Sequence, residues 1–186
     1  ERRFLVRYCE DTLSIQLRRA DFILCASEKQ RDFWLGHLGS LDRISPETYD
    51  DDRSLRNLIT VVPFGVPEAP PKQIRHGIKG VVPGISADDK VIFWGGGVYN
   101  WFDPLTLLHA VARLARKHPE VKLFFLGMKH PNPAVSEMQM ARDTICLAEE
   151  LNLTNRHVFF NEDWVDYDDR ANYLLDADLG VSTHFD

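Results

Sequence analysis

The stretch VIFWGGGVYNWFDP, residues 91–104, begins with four large apolar residues and continues into three glycines. The apolar run predicts a strand, and the glycines at 95–97 predict the turn that closes it. Asp103 has the side chain of a helix N-cap, and Pro104 suits the first helical position because a proline lacks the N–H that would go unpaired there. The stretch therefore predicts a strand, a turn and a helix in succession.

The same alternation continues to the end of the sequence. Short apolar runs at 121–126, 158–160 and 179–182 predict three more strands. Helices are predicted from Ser136, with Gln139 in the position of a capping-box partner, and over 168–175. Continuously apolar strands that alternate with helices are typical of a parallel sheet buried on both faces. The predicted fold class is α/β, with a Rossmann-like, doubly wound sheet.

Residues 1–64 predict the end of a second α/β domain. Leu5, Cys9, Leu13 and Leu17 recur every four residues, which indicates a helix. Strands are predicted at 21–26 and 59–64, and Ser27 with Gln30 forms a capping box that begins another helix.

The region after residue 64 has the composition of a linker, since five of the ten prolines lie within 63–83. We therefore expect an amino-terminal domain ending at residue 64, a linker at 65–87, and a second domain over 88–186 that is truncated. The chain is expected to be an internal piece of a longer protein.

The composition excludes several classes of protein. With 22 basic and 28 acidic residues the net charge is −6, which argues against nucleic acid as the main partner. No apolar run approaches the roughly 20 residues of a membrane span. The three cysteines have no metal-ligand spacing and suit a reducing compartment. We expect a soluble, cytoplasmic protein, peripheral to a membrane at most.

Ligands of an open parallel sheet bind beyond the carboxyl ends of its strands. The loop from Gly95 to Phe102 lies at such an end, and its glycines allow a phosphate to approach the backbone and the amides of the following helix. The glycines also fit a simple tight turn, and the sequence leaves the two interpretations open. The aromatic residues that follow them suit either a sugar or a domain interface.

Other loops at this edge offer further candidates, each with an ordinary alternative. Lys129 and His130 could bind a phosphate or could simply be solvated on a surface loop. Trp164 suits a nucleobase or packing, and His184 suits catalysis or a structural hydrogen bond.

Common catalytic and cofactor motifs are missing. Gly95 to Asn100 lacks the last glycine of G-x-G-x-x-G, and no carboxylate follows the second strand of this domain, so a nicotinamide enzyme is disfavoured. The sequence contains no P-loop and no G-x-S-x-G, and its histidines have no metal spacing.

Four segments together resemble the group 1 (family 4) retaining glycosyltransferases. Residues 20–34 resemble the end of the amino-terminal domain of that family, and 61–67 resemble the crossing to its second domain. Residues 92–104 resemble the first strand and donor loop of the second domain. Residues 177–184 are similar to the strand that precedes the family's acidic E-x7-E motif.

The resemblance implies a GT-B architecture and the transfer of a sugar, with retention, from a nucleotide-sugar to an acceptor hydroxyl on a glycan or a lipid-linked molecule. It implies no cofactor, and no metal if amides and cations stabilise the leaving diphosphate. The implied donor-site residues are Gly95, Gly96, Gly97, Val98, Asn100, Gly127, Lys129, Asp163, Trp164 and Val165. The catalytic residue stays unassigned, with His184 as a candidate.

The sequence departs from the family pattern at two points. No cation lies between Gly97 and Phe102, where many relatives have Arg and Lys, and the E-x7-E motif would begin just past Asp186. We therefore expect this chain to be inactive alone. A nucleotide-sugar 2-epimerase of the same fold and a non-catalytic α/β interaction module remain alternatives.

Overall fold

The computed structural model describes residues 2–185 of the chain. The chain forms two compact units that divide between Glu68 and Ala69. Both units combine helices with parallel strands, which confirms the α/β class that the sequence predicts. Within residues 2–185, no helix is both long enough and apolar enough to cross a membrane.

The first unit combines three helices with two short strands. Its elements are α1 (Arg2–Arg19), β1 (Ile23–Cys25), α2 (Glu28–Ser40), α3 (Pro46–Asp51) and β2 (Ile59–Val61). The two strands pair in parallel. The predicted N-cap of α2 is confirmed, because the Ser27 hydroxyl accepts a hydrogen bond from the Gln30 backbone N–H at 3.2 Å.

Helix α1 is buried over a shorter length than its four-residue repeat predicts. Leu17 is buried and Leu13 packs beside it, whereas Leu5 and Cys9 are exposed. The small core of this unit therefore reaches only the carboxyl-terminal part of α1.

The second unit is built on a four-stranded parallel sheet. Its elements are β3 (Lys90–Gly97), α4 (Pro104–Leu114), β4 (Val121–Gly127), α5 (Gln139–Glu150), β5 (Val158–Phe160), a 3-10 turn (Tyr167–Asp169), α6 (Arg170–Leu174) and β6 (Leu179–Gly180). The strand order is β5-β4-β3-β6. All the pairings are parallel, as expected for a Rossmann-like sheet.

Alternate residues of β3 and β4 point to opposite faces of this sheet, and both faces are buried. Trp94 and Phe125 pack on one face, against α4 and α5. Phe93 and Phe124 stack on the other face with ring centroids 6.3 Å apart. Burial on both faces explains why these strands are continuously apolar in the sequence.

The segment predicted as a linker differs from that prediction in its second half. Ile78 and Ile85 are buried against the face of the sheet that carries Phe93. The carboxylate of Asp176, which is buried, accepts hydrogen bonds from the backbone N–H groups of Gly77 at 2.8 Å and Ile78 at 2.7 Å. The two isoleucines and the Asp176 carboxylate thus help to hold against the sheet a segment whose composition predicts a linker.

The amino-terminal end of α5 also differs from its prediction. The helix begins at Gln139, three residues later than Ser136, and its N-cap is Met138, whose side chain makes no capping hydrogen bond. Instead, the side-chain oxygen of Asn100 accepts a hydrogen bond from the Met140 backbone N–H at 3.0 Å. The Ser136–Gln139 capping box is therefore wrong, because a residue from another loop supplies the acceptor.

Candidate functional site

A cleft of about 560 Å³ lies in the second unit, beyond the carboxyl ends of β3, β4 and β5. This is the edge at which parallel α/β sheets bind ligands. Its walls come from the loop after each of the three strands and from the first two turns of α5. The lining residues are Gly97, Val98, Tyr99, Gly127, Met128, Lys129, His130, Pro131, Pro133, Val135, Ser136, Glu137, Met138, Ala141, Ile145, Glu162 and Trp164.

The interior of the cleft is apolar, and one wall is aromatic. Val98, Met128 and Ala141 are buried beneath it. The Trp164 side chain lines the cleft while remaining 67% exposed. A large indole that is not packed into a core leaves its face free for a flat ligand.

Charged groups lie on the rim of this cleft. Lys129 makes no ion pair or hydrogen bond through its side chain with any residue from 2 to 185, so its ammonium group is free for an anion. The His130 ring accepts a hydrogen bond at Nδ1 from the Asn132 backbone N–H at 3.0 Å. Glu137 is paired with Arg142 at 3.3 Å, whereas Glu162 adds a negative charge. Among the residues described, Lys129 is therefore a cation without a partner beside an apolar surface.

The three glycines after Trp94 do not form the separate turn that the sequence predicts. Gly95, Gly96 and Gly97 belong to strand β3, with an irregularity in its pairing to β4 between Trp94 and Gly97. Only Gly97 of the three lines the cleft, and the Tyr99 ring lies over it. The absence of a side chain matters at Gly95 for packing, since a methyl group there would lie 2.7 Å from the Phe93 ring.

A different glycine permits a close approach of two strand ends. A methyl group on Gly127 would lie 3.1 Å from the carbonyl oxygen of Gly96 and 3.3 Å from the backbone nitrogen of Gly97. The carboxyl ends of β3 and β4 can meet at this distance because residue 127 has no side chain. Gly127 thus shapes the floor of the cleft through the backbone.

The amino-terminal end of α4 is capped by the carboxylate of Asp103. The predicted N-cap is confirmed, since the Asp103 carboxylate accepts a hydrogen bond from the Thr106 backbone N–H at 3.0 Å. Hydrogen bonds from the side chain and backbone of Thr106 hold the pKa of Asp103 below its ordinary value. The Asp103 carboxylate thus pairs one of the amides that the sequence analysis offers to a phosphate, and its negative charge disfavours an anion at this helix end.

Several predicted site residues lie outside the cleft. Asn100 caps α5 rather than lining the cleft. The Asp163 backbone carbonyl accepts a hydrogen bond from the Asn161 side chain at 2.6 Å, and Val165 packs against the opposite face of the sheet. The residues that the structure does bring together from the sequence prediction are Gly97, Val98, Gly127, Lys129 and Trp164.

His184 lies beside the loop that follows β3, away from the cleft lining. Its Nε2 atom is 3.1 Å from the Ser182 hydroxyl, and its ring meets the edge of Phe102 at 4.7 Å between centroids. These contacts favour the structural alternative over the catalytic one.

The sequence interpretation misses most of the helical wall. Met138, the N-cap of α5, and Ala141 and Ile145 within that helix line the cleft. Their spacing of three and four residues is the signal that could have identified one helical face. Within residues 2–185, no group of three or more His, Cys, Asp or Glu side chains is placed to hold a metal ion.

Comparison with known proteins gives a likeness of fold. No family model and no curated protein matches the sequence. Among solved structures nine chains match, and one is the crystal structure of TarM, with a TM-score of 0.52 and 15% sequence identity. The matched region covers 94% of this chain and 27% of the TarM chain, so this chain spans about a quarter of that protein's length.

Proposed function

We propose that this chain is part of a glycosyltransferase and that its cleft binds the nucleotide-sugar donor. TarM is a glycosyltransferase with a GT-B-like fold, and the likeness in fold supports a glycosyltransferase-like function here. The observation that carries the proposal is the lining of the cleft. An apolar floor, an exposed indole and a free ammonium group lie together at the carboxyl edge of a parallel sheet.

The indole of Trp164 is the proposed contact for the nucleobase. Stacking of a base on an aromatic side chain contributes about 1–3 kcal/mol and needs an accessible ring face. The exposure of Trp164 within the cleft meets that requirement.

The diphosphate of the donor is assigned to the side of the cleft that holds Lys129. In sugar transfer, negative charge develops on the leaving diphosphate, so a cation beside it stabilises the transition state. Lys129 lies two residues after Gly127, and both residues line the cleft near the point where the ends of β3 and β4 approach each other.

The finer assignment follows the resemblance to group 1 (family 4) enzymes. It comprises retention at the anomeric carbon, a glycan or lipid-linked acceptor, and donor binding without a metal. Since the match spans 27% of the TarM chain, we expect the 186-residue chain to bind nucleotide without transferring sugar. Sugar transfer by the purified chain would contradict this part of the proposal.

Calorimetric titration of the purified chain with UDP, GDP and ADP tests donor binding, with and without EDTA. We expect saturable binding of at least one nucleotide, unchanged by EDTA. Lys129→Ala should weaken that binding about tenfold, because a hydrogen bond to a charged group contributes about 1.5–3 kcal/mol. Trp164→Ala should weaken it at least fivefold through lost stacking.

Matched controls separate the cleft from general effects of charge and surface. Lys72→Ala removes an exposed lysine elsewhere in the unit, and Tyr167→Ala removes an exposed aromatic ring outside the cleft lining. Both should bind as the parent does. Absence of binding for all three nucleotides would remove the basis of the proposal.

A non-catalytic interaction module is the second candidate, and one observation favours it. The Asp103 carboxylate accepts one amide at the amino-terminal end of α4 and puts a negative charge where a phosphate would otherwise meet helix amides. This candidate predicts that no nucleotide binds and that Lys129→Ala changes nothing in the titration.

A further inference from the structure

We propose that the carboxyl-terminal end of α4 forms a second anion site, which takes phosphate groups. The site is an open hollow of about 550 Å³ in the second unit. Its lining consists of Ala110, Arg113, Leu114, Arg116, Lys117 and His118, none of which lines the cleft described above. The inference is therefore independent of the proposed donor site.

The sequence around the hollow has an unusual charge distribution for this protein. The chain has 28 acidic residues and a net charge of −6, yet residues 104–119 contain no Asp or Glu. The same stretch contains three Arg or Lys residues and two histidines. Positive charge is thus concentrated at one end of α4 in an otherwise acidic protein, which favours an anionic partner there.

The three strong cations of the hollow are free to bind. Within residues 2–185, the side chains of Arg113, Arg116 and Lys117 form no ion pair and no hydrogen bond. His118 is the only residue of the lining with an acidic neighbour, Glu120, at 3.2 Å in the described part of the chain. An exposed arginine usually lies alone in solvent. Here two guanidinium groups and an ammonium group line one concave surface.

Within residues 2–185, side-chain hydrogen bonds to the end of the helix do not account for this cluster. Cations near a helix carboxyl terminus often serve to pair the last free carbonyl groups. Here the Val111 carbonyl accepts the Ala115 N–H at 2.8 Å, and the Leu114 carbonyl accepts the N–H groups of Lys117 and His118 at 3.0 and 2.9 Å. The backbone therefore pairs these carbonyls itself, and the cationic side chains remain available.

Phosphate is the anion that this chemistry fits best. A guanidinium group binds two phosphate oxygens at once, and a neighbouring ammonium group adds a point charge. Ala110 and the partly exposed Leu114 add an apolar strip to the hollow. Phosphate groups that reach the hollow can belong to an anionic membrane surface or to a free phosphate compound.

Two probes distinguish these sources with the 186-residue chain. One is sedimentation with vesicles of phosphatidylglycerol and phosphatidylcholine against vesicles of phosphatidylcholine alone. The other is calorimetric titration with inorganic tripolyphosphate. The test variant is Arg113→Gln/Arg116→Gln/Lys117→Gln. The matched control, Lys29→Gln/Lys72→Gln/Arg156→Gln, removes the same charge from exposed residues elsewhere.

We expect the parent and the control to bind at least one probe and the test variant to lose that binding. The expected loss is about fivefold for each cation removed, since each basic residue near an anionic surface contributes about 1 kcal/mol. Arg113→Lys/Arg116→Lys keeps the charge but loses the two-oxygen contacts of the guanidinium groups, so it should bind less tightly than the parent and more tightly than the test variant. Absence of parent binding to both probes, or equal binding by the test variant, would overturn the proposal.

Discussion

The side-chain oxygen of Asn100 lies 3.0 Å from the backbone nitrogen of Met140 and accepts its hydrogen bond. The contact joins the loop after β3 to the first turn of α5, across 40 positions of sequence. Both segments adjoin the cleft, so this single bond helps to hold two of its walls together. Asn100 therefore contributes to the site by position, without lining it.

Asn100→Ala should lower the free energy of unfolding by about 1 kcal/mol, because it removes the acceptor that caps α5. Asn100→Asp should retain most of the stability, since a carboxylate accepts the same hydrogen bond. Urea denaturation of the three proteins measures the difference. Equal stability of the Ala and Asp variants would show that the cap contributes nothing.

Gly127→Ala should destabilise the second unit by about 1–3 kcal/mol, because the added methyl group would press on the backbone of Gly96 and Gly97. Gly96→Ala is the matched control, since a methyl group there meets no heavy atom within 4 Å among the residues described. Thermal unfolding of both variants checks the prediction. Comparable losses in the two would contradict the close approach of the strand ends.

Asp176→Ala should lower the free energy of unfolding by about 3 kcal/mol or more, because buried N–H groups lose their acceptor. Burial of Asp176 acts to raise its pKa, but hydrogen bonds from His76 and the 73–78 segment outweigh it and hold the pKa below its ordinary value. Asp168→Ala, at an exposed position, should change stability by less than about 0.5 kcal/mol. Chemical denaturation that ranks the two variants equally would refute the fastening role.

Acid should destabilise the second unit through Asp178. Its burial acts to raise the pKa, but hydrogen bonds from Lys79 and the Val91 N–H, at 2.7 and 2.8 Å, lower it to about 2. A folded-state pKa below the unfolded value means that the stabilisation is complete above the unfolded pKa and is lost as the pH falls towards 2.

Because the Asp178 side chain is 32% exposed, the loss between pH 5 and pH 2 should be about 1–2 kcal/mol. Urea titrations across this range measure it, with Asp178→Asn as the comparison. The variant should show a shallower pH dependence, and parallel curves for the two proteins would contradict the assignment.

The strands and the α/β class could be predicted because their signals are local. A strand buried on both faces must be apolar along its length, so the runs at 121–126 and 158–160 are visible without any partner. The N-caps of α2 and α4 could be predicted for the same reason. Ser27 and Asp103 each accept a hydrogen bond from a backbone N–H only three residues later.

The prediction of a linker over 65–87 relies on local composition, which does not show that residues of its second half pack on the sheet. The 73–85 segment contains five Ile and Val residues interspersed with glycines and polar residues. Its attachment involves Asp176, about one hundred positions later in the chain. The predicted start of α5 was wrong for a similar reason. Ser136 and Gln139 have the spacing of a capping box, but the acceptor at the beginning of the helix comes from Asn100.

From residue order alone one can therefore place the strands, most helices and the edge of the sheet at which ligands gather, since each follows from neighbours within a few positions. Which side chains line the same cleft is decided only by the tertiary packing of the helices and strands. Met138, Ala141 and Ile145 reach it only because α5 lies across the sheet, and Lys129 is free only because no acidic group among residues 2–185 comes to rest beside it. Such long-range contacts depend on how the elements pack, which no local pattern encodes.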